Sequence, residues 1–326
     1  MAEELYDEPQ SGFAASHRLR QDWRERRQTM EASPRGRHWR GRLRRRLYKI
    51  AASANRVIGP TRLGRHAAAR ALEFDLTRLT LTFPDLPPAF DGYRVLHFTD
   101  LHLDNIDDTA LAMSRKVAGI DADLCVVTGD FRDNIHTPDA LVAERFGIVM
   151  EELRVSDGVL GILGNHDSST MVEPLEALGV TMLINETLSL KRGDDHIHIT
   201  GLDDVHRFHT EAAVEALAAT PEGFAVALVH SPEVVPHAAD RHRLYLCGHT
   251  HGGQACLPGG RPVLMGPKLR HRRYAPGLWR PGDMLGYTSR GIGASIVPLR
   301  YHARAEMVLI TLKCGPNGAA IAGDSP

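Results

Sequence analysis

Cysteine is scarce, with four residues in 326. Cys125 and Cys247 fall inside short apolar runs, where they read as small buried hydrophobes in a reducing compartment and not as a disulfide framework. Cys256 and Cys314 have no partner that spacing identifies. No stretch approaches the ~18 consecutive apolar residues that a membrane-spanning helix needs. The first 16 residues lack the basic start and apolar run of a secretory signal. Arg44-Arg45-Arg46 is followed by Leu47-Tyr48-Lys49-Ile50, but the next stretch, Ala51-Ala52-Ser53-Ala54-Asn55-Arg56, is too polar for an export signal. The expectation from these absences is a cytoplasmic location.

Net charge is also missing, at −1, but the balance is uneven. Residues 1–16 hold four acids and no Lys or Arg, and residues 17–49 hold 13 bases against three acids. Residues 50–326 hold 26 bases against 33 acids. The Arg-rich segment reads as a partly disordered or helical arm. A helix over 37–58 would put Leu43, Leu47, Ile50 and Ala54 on one face and arginines on the other, which suits a peripheral contact with an anionic membrane. Nucleic acid is the disfavoured partner, because the net-acidic remainder would repel phosphate backbones.

What the chain does have is one design repeated five times. Short apolar runs end in Asp, Asn or His: 95–99 runs into Asp100-Leu101-His102, and 124–128 into Gly129-Asp130. Likewise 159–163 runs into Gly164-Asn165-His166-Asp167, 224–229 into His230, and 244–247 into Gly248-His249-Thr250-His251. Such runs read as buried parallel strands, and ligands gather at the carboxyl edge of such sheets. One strand ending in Asp is ordinary, since Asp caps helices and turns. Five are not, because capping uses Ser and Thr as readily and has no use for His-x-His. Carboxylate, amide and imidazole donors without Cys suit hard or borderline divalent ions, with Mn the leading expectation and Fe, Zn, Co or Mg behind it. Seven or more donors exceed what one tetrahedral ion needs. Two ions sharing Asp130, ~3.5–4 Å apart, would use them all, and that constellation suits in-line attack on phosphorus.

The order Asp-x-His, Gly-Asp, Gly-Asn-His-Asp, His, Gly-His-x-His resembles the calcineurin-like metallophosphoesterases, over roughly residues 73–312. The strings at 86–92, 229–233, 248–254 and 289–293 are similar to one bacterial branch of small phosphodiesterases, related to UDP-2,3-diacylglucosamine pyrophosphatases. The resemblance implies a first metal site of Asp100, His102 and His251, bridged by Asp130 to a second of Asn165, His230 and His249. It implies a phosphoester substrate, lipid-linked or a nucleotide sugar, cut at a diester or pyrophosphate bond. The residues make chemical sense beside it. A bridging carboxylate lowers the net charge of two neighbouring cations, which together would make water a nucleophile at physiological pH. Asn165, being neutral, would leave its ion more Lewis acidic.

His166 is expected to meet the substrate as imidazolium, oriented and raised in pKa by Asp167, and to stabilise phosphoryl charge or protonate the leaving group. Gly129, Gly164 and Gly248 are expected to permit tight turns after their strands. Arg132 either contacts a substrate phosphate or pairs with Asp133. Arg290 either fixes the loop near His251, the preferred reading, or reaches substrate. His97 reads as a core histidine, His196 and His198 as surface residues, and Asp203-Asp204 as turn formers.

The period-two pattern of 74–82 predicts an antiparallel or edge strand. Helices are expected at 109–119, 138–153, 173–178 and 211–219, a pair of strands across 181–200 with a turn at 193–195, and a last strand at 307–312. Strands alternating with helices early and paired with strands late give an α/β fold of two packed sheets with helices outside. The resemblance implies the same four-layer αββα sandwich. The expected division is an arm at 1–71, a catalytic domain at 72–314 and a frayed tail at 315–326. A phosphomonoesterase or protein phosphatase is the rival within hydrolases. A binding module that kept the fold and lost its metals is the rival outside them, and it is disfavoured because every motif position is filled.

Overall fold

The computed structural model describes residues 10–33, 61–254, 256–257, 261–262, 273–274, 276–295, 300 and 302–323. One large sheet holds β1 (Phe74–Phe83), β2 (Arg94–Phe98), β4 (Leu124–Thr128), β6 (Val159–Ile162), β7 (Val180–Met182), β16 (Ala305–Cys314) and β17 (Gly318–Gly323), ordered β17-β1-β16-β2-β4-β6-β7. The other holds β8 (Glu186–Arg192), β9 (Asp195–Gly201), β10 (Ala225–Leu228), β11 (Leu244–Cys247), β14 (Gly277–Trp279) and β15 (Leu285–Thr288), ordered β14-β15-β11-β10-β9-β8. Two short pairs lie outside them, β3 (Asp121–Ala122) with β5 (Arg154–Val155), and β12 (Cys256–Leu257) with β13 (Arg261–Pro262).

The apolar runs are continuous because the strands are covered on both faces. On β4, Leu124 and Val126 point into the core between the sheets, while Cys125 and Val127 point outward against helices Thr109–Val117 and Asp139–Glu152. On β11, Leu244 and Leu246 face the same inner core, and Tyr245 and Cys247 face a third cluster under helix Glu211–Ala218. The result is helix, sheet, sheet, helix, the four-layer sandwich expected. β2, β4, β6 and β7 run parallel, as do β9, β10, β11 and β15, so the carboxyl ends of each set emerge together.

Two expectations need correction. Residues 318–323 are no frayed tail: they pair antiparallel with β1, from Thr82↔Gly318 to Thr77↔Gly323. The same pairing makes β1 the antiparallel strand expected, not the edge strand offered as its alternative, and its other neighbour, β16, runs parallel to it. Residues Gln10–Ala32 form a helix whose Arg20, Trp23, Arg24 and Arg27 contact residues of the catalytic domain. His198 is buried, between the Ser189 hydroxyl and the Glu222 carbonyl. The expected helix at 37–58 lies outside the described residues. Among those described, no helix is long and apolar enough to cross a membrane.

The sheets grip each other partly through Phe83, at the end of β1, and Phe224, just before β10. Their rings meet edge to face with centroids 5.0 Å apart, and both are buried. Phe224→Ala should therefore cost about 3–5 kcal/mol in urea unfolding. Leu111→Ala, on a 42% exposed side chain, should stay within about 0.5 kcal/mol of wild type.

Candidate metal centre

The five strand ends converge. Asp100 and His102 follow β2, Asp130 follows β4, Asn165 and His166 follow β6, His230 follows β10, and His249 and His251 follow β11. Asp100, His102 and His251 form one group with its donor atoms within 4.8 Å of one another, and Asp130, His230 and His249 form another. In the first, His102 Nε2 lies 3.1 Å from His251 Nε2, which is 3.3 Å from Asp100 Oδ1. In the second, His230 Nε2 lies 3.3 Å from Asp130 Oδ2, 3.2 Å from Asn165 Oδ1 and 3.3 Å from His249 Nδ1. The same Asp130 Oδ2 is 3.9 Å from His102 Nε2, so one carboxylate oxygen faces both groups.

Convergence is bought with backbone strain. Among the described residues, eight other than glycine have positive φ, and five of them are Asp100, His102, Asp130, His249 and His251, at 43–68°. Left-handed backbone costs a β-carbon-bearing residue ~1–3 kcal/mol and persists only where surrounding contacts over-determine it. Those contacts are visible. The amides of Asp100 and His102 donate to the carbonyls of Gly129 and Asp130, at 2.9 and 3.1 Å, and the Gly293 amide donates to Asp100 O at 2.7 Å. Gly164 and Gly248 serve close approach more than turning. A β-carbon on Gly164 would run into Asp130 Oδ1, and one on Gly248 into Asp100 Oδ2.

The donor set fits divalent ions. His102 and His230 each donate Nδ1–H to a carbonyl, Arg132 O at 2.9 Å and Thr128 O at 2.8 Å, so each Nε2 is the nitrogen that faces the group. Asp100 Oδ1 is buried with no hydrogen-bond partner, an arrangement that a cation would satisfy. Burial pushes the Asp100 carboxyl up. It would push Asp130 up as well, but His230, His166 and His102 hold that carboxyl well below the usual range. Burial, then the neighbouring histidines, push His249 and His251 well down, so both present neutral imidazole.

A model of the calcineurin-like phosphoesterases matches residues 93–253. An uncharacterised metallophosphoesterase, YkuE of Bacillus subtilis, is 31% identical over 77% of this chain and 90% of its own length. The chain belongs to the calcineurin-like phosphoesterase family. It is also 27% identical to the phosphodiesterase YaeI of Escherichia coli, over 68% of this chain and 82% of that one. The same identity links it to the UDP-2,3-diacylglucosamine pyrophosphatase LpxG of Chlamydia trachomatis, over 58% and 74%. A member of this family is a metal-dependent hydrolase of phosphoric esters.

The surroundings of the phosphoesterase's His166 differ from expectation. Asp167 does not reach the imidazole. Its carboxylate is buried and accepts from the amides of Asp130 (2.8 Å), Phe131 (2.9 Å) and Gly164 (2.8 Å), which makes it a brace for the Asp130 turn. Burial and the nearby Asp130 push its pKa up to about 6, against the pull of the Gly164 amide. His166 Nδ1 instead donates to the Asp133 carbonyl, with Asp133 Oδ1 4.0 Å away. Arg132 pairs with Asp139 at 2.7 Å, not with Asp133, and also donates to His166 O at 2.8 Å and Thr137 O at 3.1 Å. Those partners hold Nε and Nη1, and the side chain lines the cleft beside His166. Arg290 pairs with Glu306 (2.8 Å) and Asp75 (3.4 Å) and packs on Gly252, as a loop-fixing residue would.

Sequence reasoning took Asp133 only as a partner for Arg132 and passed over Arg300. Asp133 accepts from Ser295 Oγ at 2.8 Å and Asn105 Nδ2 at 3.1 Å, and lies 3.7 Å from His102 Nδ1. Its spacing, three residues after Asp130, was the available signal. Arg300 is buried, binds the carbonyls of Arg290 and Gly293, and lies 3.3 Å from His251 Nδ1. No motif marks it. The tight fit at Gly164 gives a direct check. Gly164→Ala should displace the Asp130 carboxylate, so that metal retained after desalting, measured by elemental analysis, falls below wild type while far-UV circular dichroism stays unchanged.

Proposed function

We propose that this phosphoesterase hydrolyses a phosphodiester or pyrophosphate bond with two divalent ions. The observation that carries the reading is the single Asp130 oxygen facing both donor groups. Asp100, His102 and His251 would hold one ion and Asn165, His230 and His249 the other, with Asp130 common to both. The oxygen and nitrogen donors favour Mn, with Fe, Zn, Co or Mg as alternatives. When bound, such a pair supplies Lewis acidity toward the phosphoryl group and a nucleophile at neutral pH.

The chain's own groups do the rest. With Nδ1–H committed to the Asp133 carbonyl, Nε2 is the nitrogen through which His166 acts on the substrate. In its protonated form it donates to a phosphoryl oxygen or to the leaving oxygen. A cleft of about 320 Å³ opens beside it, lined in part by Glu31, Arg132, Ile135, Thr137 and Arg207. It would receive the part of the substrate beyond the scissile bond. The names of YaeI and LpxG support a diester or pyrophosphate, and a lipid-linked or nucleotide-sugar substrate within that class. A monoesterase or protein phosphatase is less well supported, because the named relatives are a phosphodiesterase and a pyrophosphatase and because Arg290 is tied to Glu306 and Asp75.

Two measurements test this. Asp130→Asn should lose more activity on a panel of diesters, monoesters and nucleotide-linked pyrophosphates than His102→Ala, and its metal content should fall from about two ions per chain toward one or none. Full activity in that variant, or in EDTA-treated protein, would refute the dinuclear reading. His166→Ala should keep its metal and lose roughly 10²–10⁴ in turnover. That loss should shrink on nitrophenyl diesters if His166 is the acid, whereas equal losses on good and poor leaving groups would restrict it to charge stabilisation.

A further inference from the structure

Arg27 belongs to a helix outside the residues that the family model matches, yet its side chain is 0% exposed. A buried guanidinium needs acceptors for its in-plane N–H groups and a flat surface against its face. Arg27 finds them in the walls of the metal centre. It pairs with the buried Asp203 carboxylate, which follows β9, and its Cζ lies 3.4 Å from the centroid of the Phe208 ring. Its Nη2 donates to Gly164 O at 3.3 Å and to Asp167 O at 3.0 Å. One turn on, Glu31 accepts from the Ser169 amide at 2.8 Å and braces Arg27 Nε at 3.1 Å. Trp23 adds a bond of its own to Asp203, at 2.8 Å.

The carbonyls that Arg27 holds flank Asn165 and His166. The residue it holds by the backbone, Asp167, grips the amide of Asp130 with its side chain. The His166 amide closes the circuit by donating to Asp130 Oδ1 at 2.9 Å. One residue therefore separates Arg27 from the carboxylate that faces both donor groups. On its other side, the Asp203 loop continues through Asp204 to His206, whose ring packs on that of His249 with centroids 4.2 Å apart and planes tilted by 44°.

We propose that Arg27 is a positioning residue for hydrolysis. It fixes the Gly164–Ser169 loop of one sheet against the Asp203 loop of the other, so that His166 and Asn165 meet the substrate in register. This rests on the proposed phosphoesterase chemistry and adds to it a residue supplied by the N-terminal helix. Lys in its place keeps a charge for Asp203 but cannot reach both carbonyls, because an ammonium lacks the planar fork of a guanidinium.

The test combines hydrolysis of bis(4-nitrophenyl) phosphate by Mn-loaded full-length protein with hydrogen–deuterium exchange on the same preparations. Arg27→Lys should lose on the order of tenfold to a hundredfold in kcat with KM changed by less than about twofold, as misplacement of a reacting group does. Exchange at the amides of Asp130, Gly164 and His166 should quicken while β10 and β11 stay protected. Arg24→Ala, which removes only the exposed pair with Glu173, should leave both readouts unchanged. Wild-type kcat together with wild-type exchange at those amides overturns the proposal. Loss of protection throughout the sheets also overturns it, because the role would then be general stability. If Arg27→Lys yields no soluble protein, Trp23→Phe, which removes the Trp23 bond to Asp203, is judged by the same criteria with a smaller loss expected. A wild type that hydrolyses nothing strikes at the phosphoesterase reading, and the exchange comparison still decides whether Arg27 orders the loop.

Discussion

The carboxylate of Asp130 is the group around which the other contacts are arranged. It is buried, and an ionised carboxylate without partners in such a place would cost several kcal/mol. Its charge is met by imidazoles from both sheets, His102 from the first and His230 from the second. Its Oδ1 takes the His166 amide, and its own amide is taken by Asp167. The demand for a neutral glycine opposite it, at position 164, follows from the same crowding. Remove the charge and the histidines lose the anion that organises them. Remove the histidines and the anion has no reason to stay buried.

The left-handed corners follow from that demand. A strand sends successive side chains to opposite faces of its sheet, whereas the seven side chains from five strand ends converge on one spot beyond the sheet edge. Positive φ at Asp100, His102, Asp130, His249 and His251 turns the chain sharply enough to do so. The neighbouring loops then knit the corners together through backbone hydrogen bonds, as between Ile292 and Thr99, at 3.1 Å, and between Gly248 and His230, at 3.0 Å. Strain at the site is thus carried by the rigidity of two well-packed sheets.

What could be read from the residues was whatever is local in the chain. Each donor sits directly after the apolar run that positions it, so strand, turn and donor share a single window of sequence. The two layers of helices were legible for the same reason. Other features depend on distant partners. Arg27 finds Gly164, Asp167 and Asp203, 137 to 176 residues away, and nothing near it in the chain separates it from the other arginines of the arm. Asp203 read as a turn former because its buried cation comes from another element. β17 is Gly-Ala-Ala-Ile-Ala-Gly, small residues with weak strand preference, and it forms because β1 offers an unpaired edge. Asp167 was mistaken for a partner of His166 because adjacency in sequence suggested contact. Its carboxylate turns the other way, to the amides of the preceding strand's loop.

Each donor group straddles the seam between the sheets. Asp100 and His102 come from the first sheet and His251 from the second, and Asp130 from the first meets His230 and His249 from the second. Any slippage of one sheet on the other would therefore pull both groups apart at once, so the core between the sheets determines the geometry of the chemistry as well as the stability of the fold. The Arg27–Asp203 pair crosses the same seam, on the side where the motif loop has no strand partner of its own. A charged side chain suits that place better than an apolar one. The loop edge presents carbonyls that need donors, and a guanidinium can satisfy two of them while its charge answers a carboxylate from the opposite sheet.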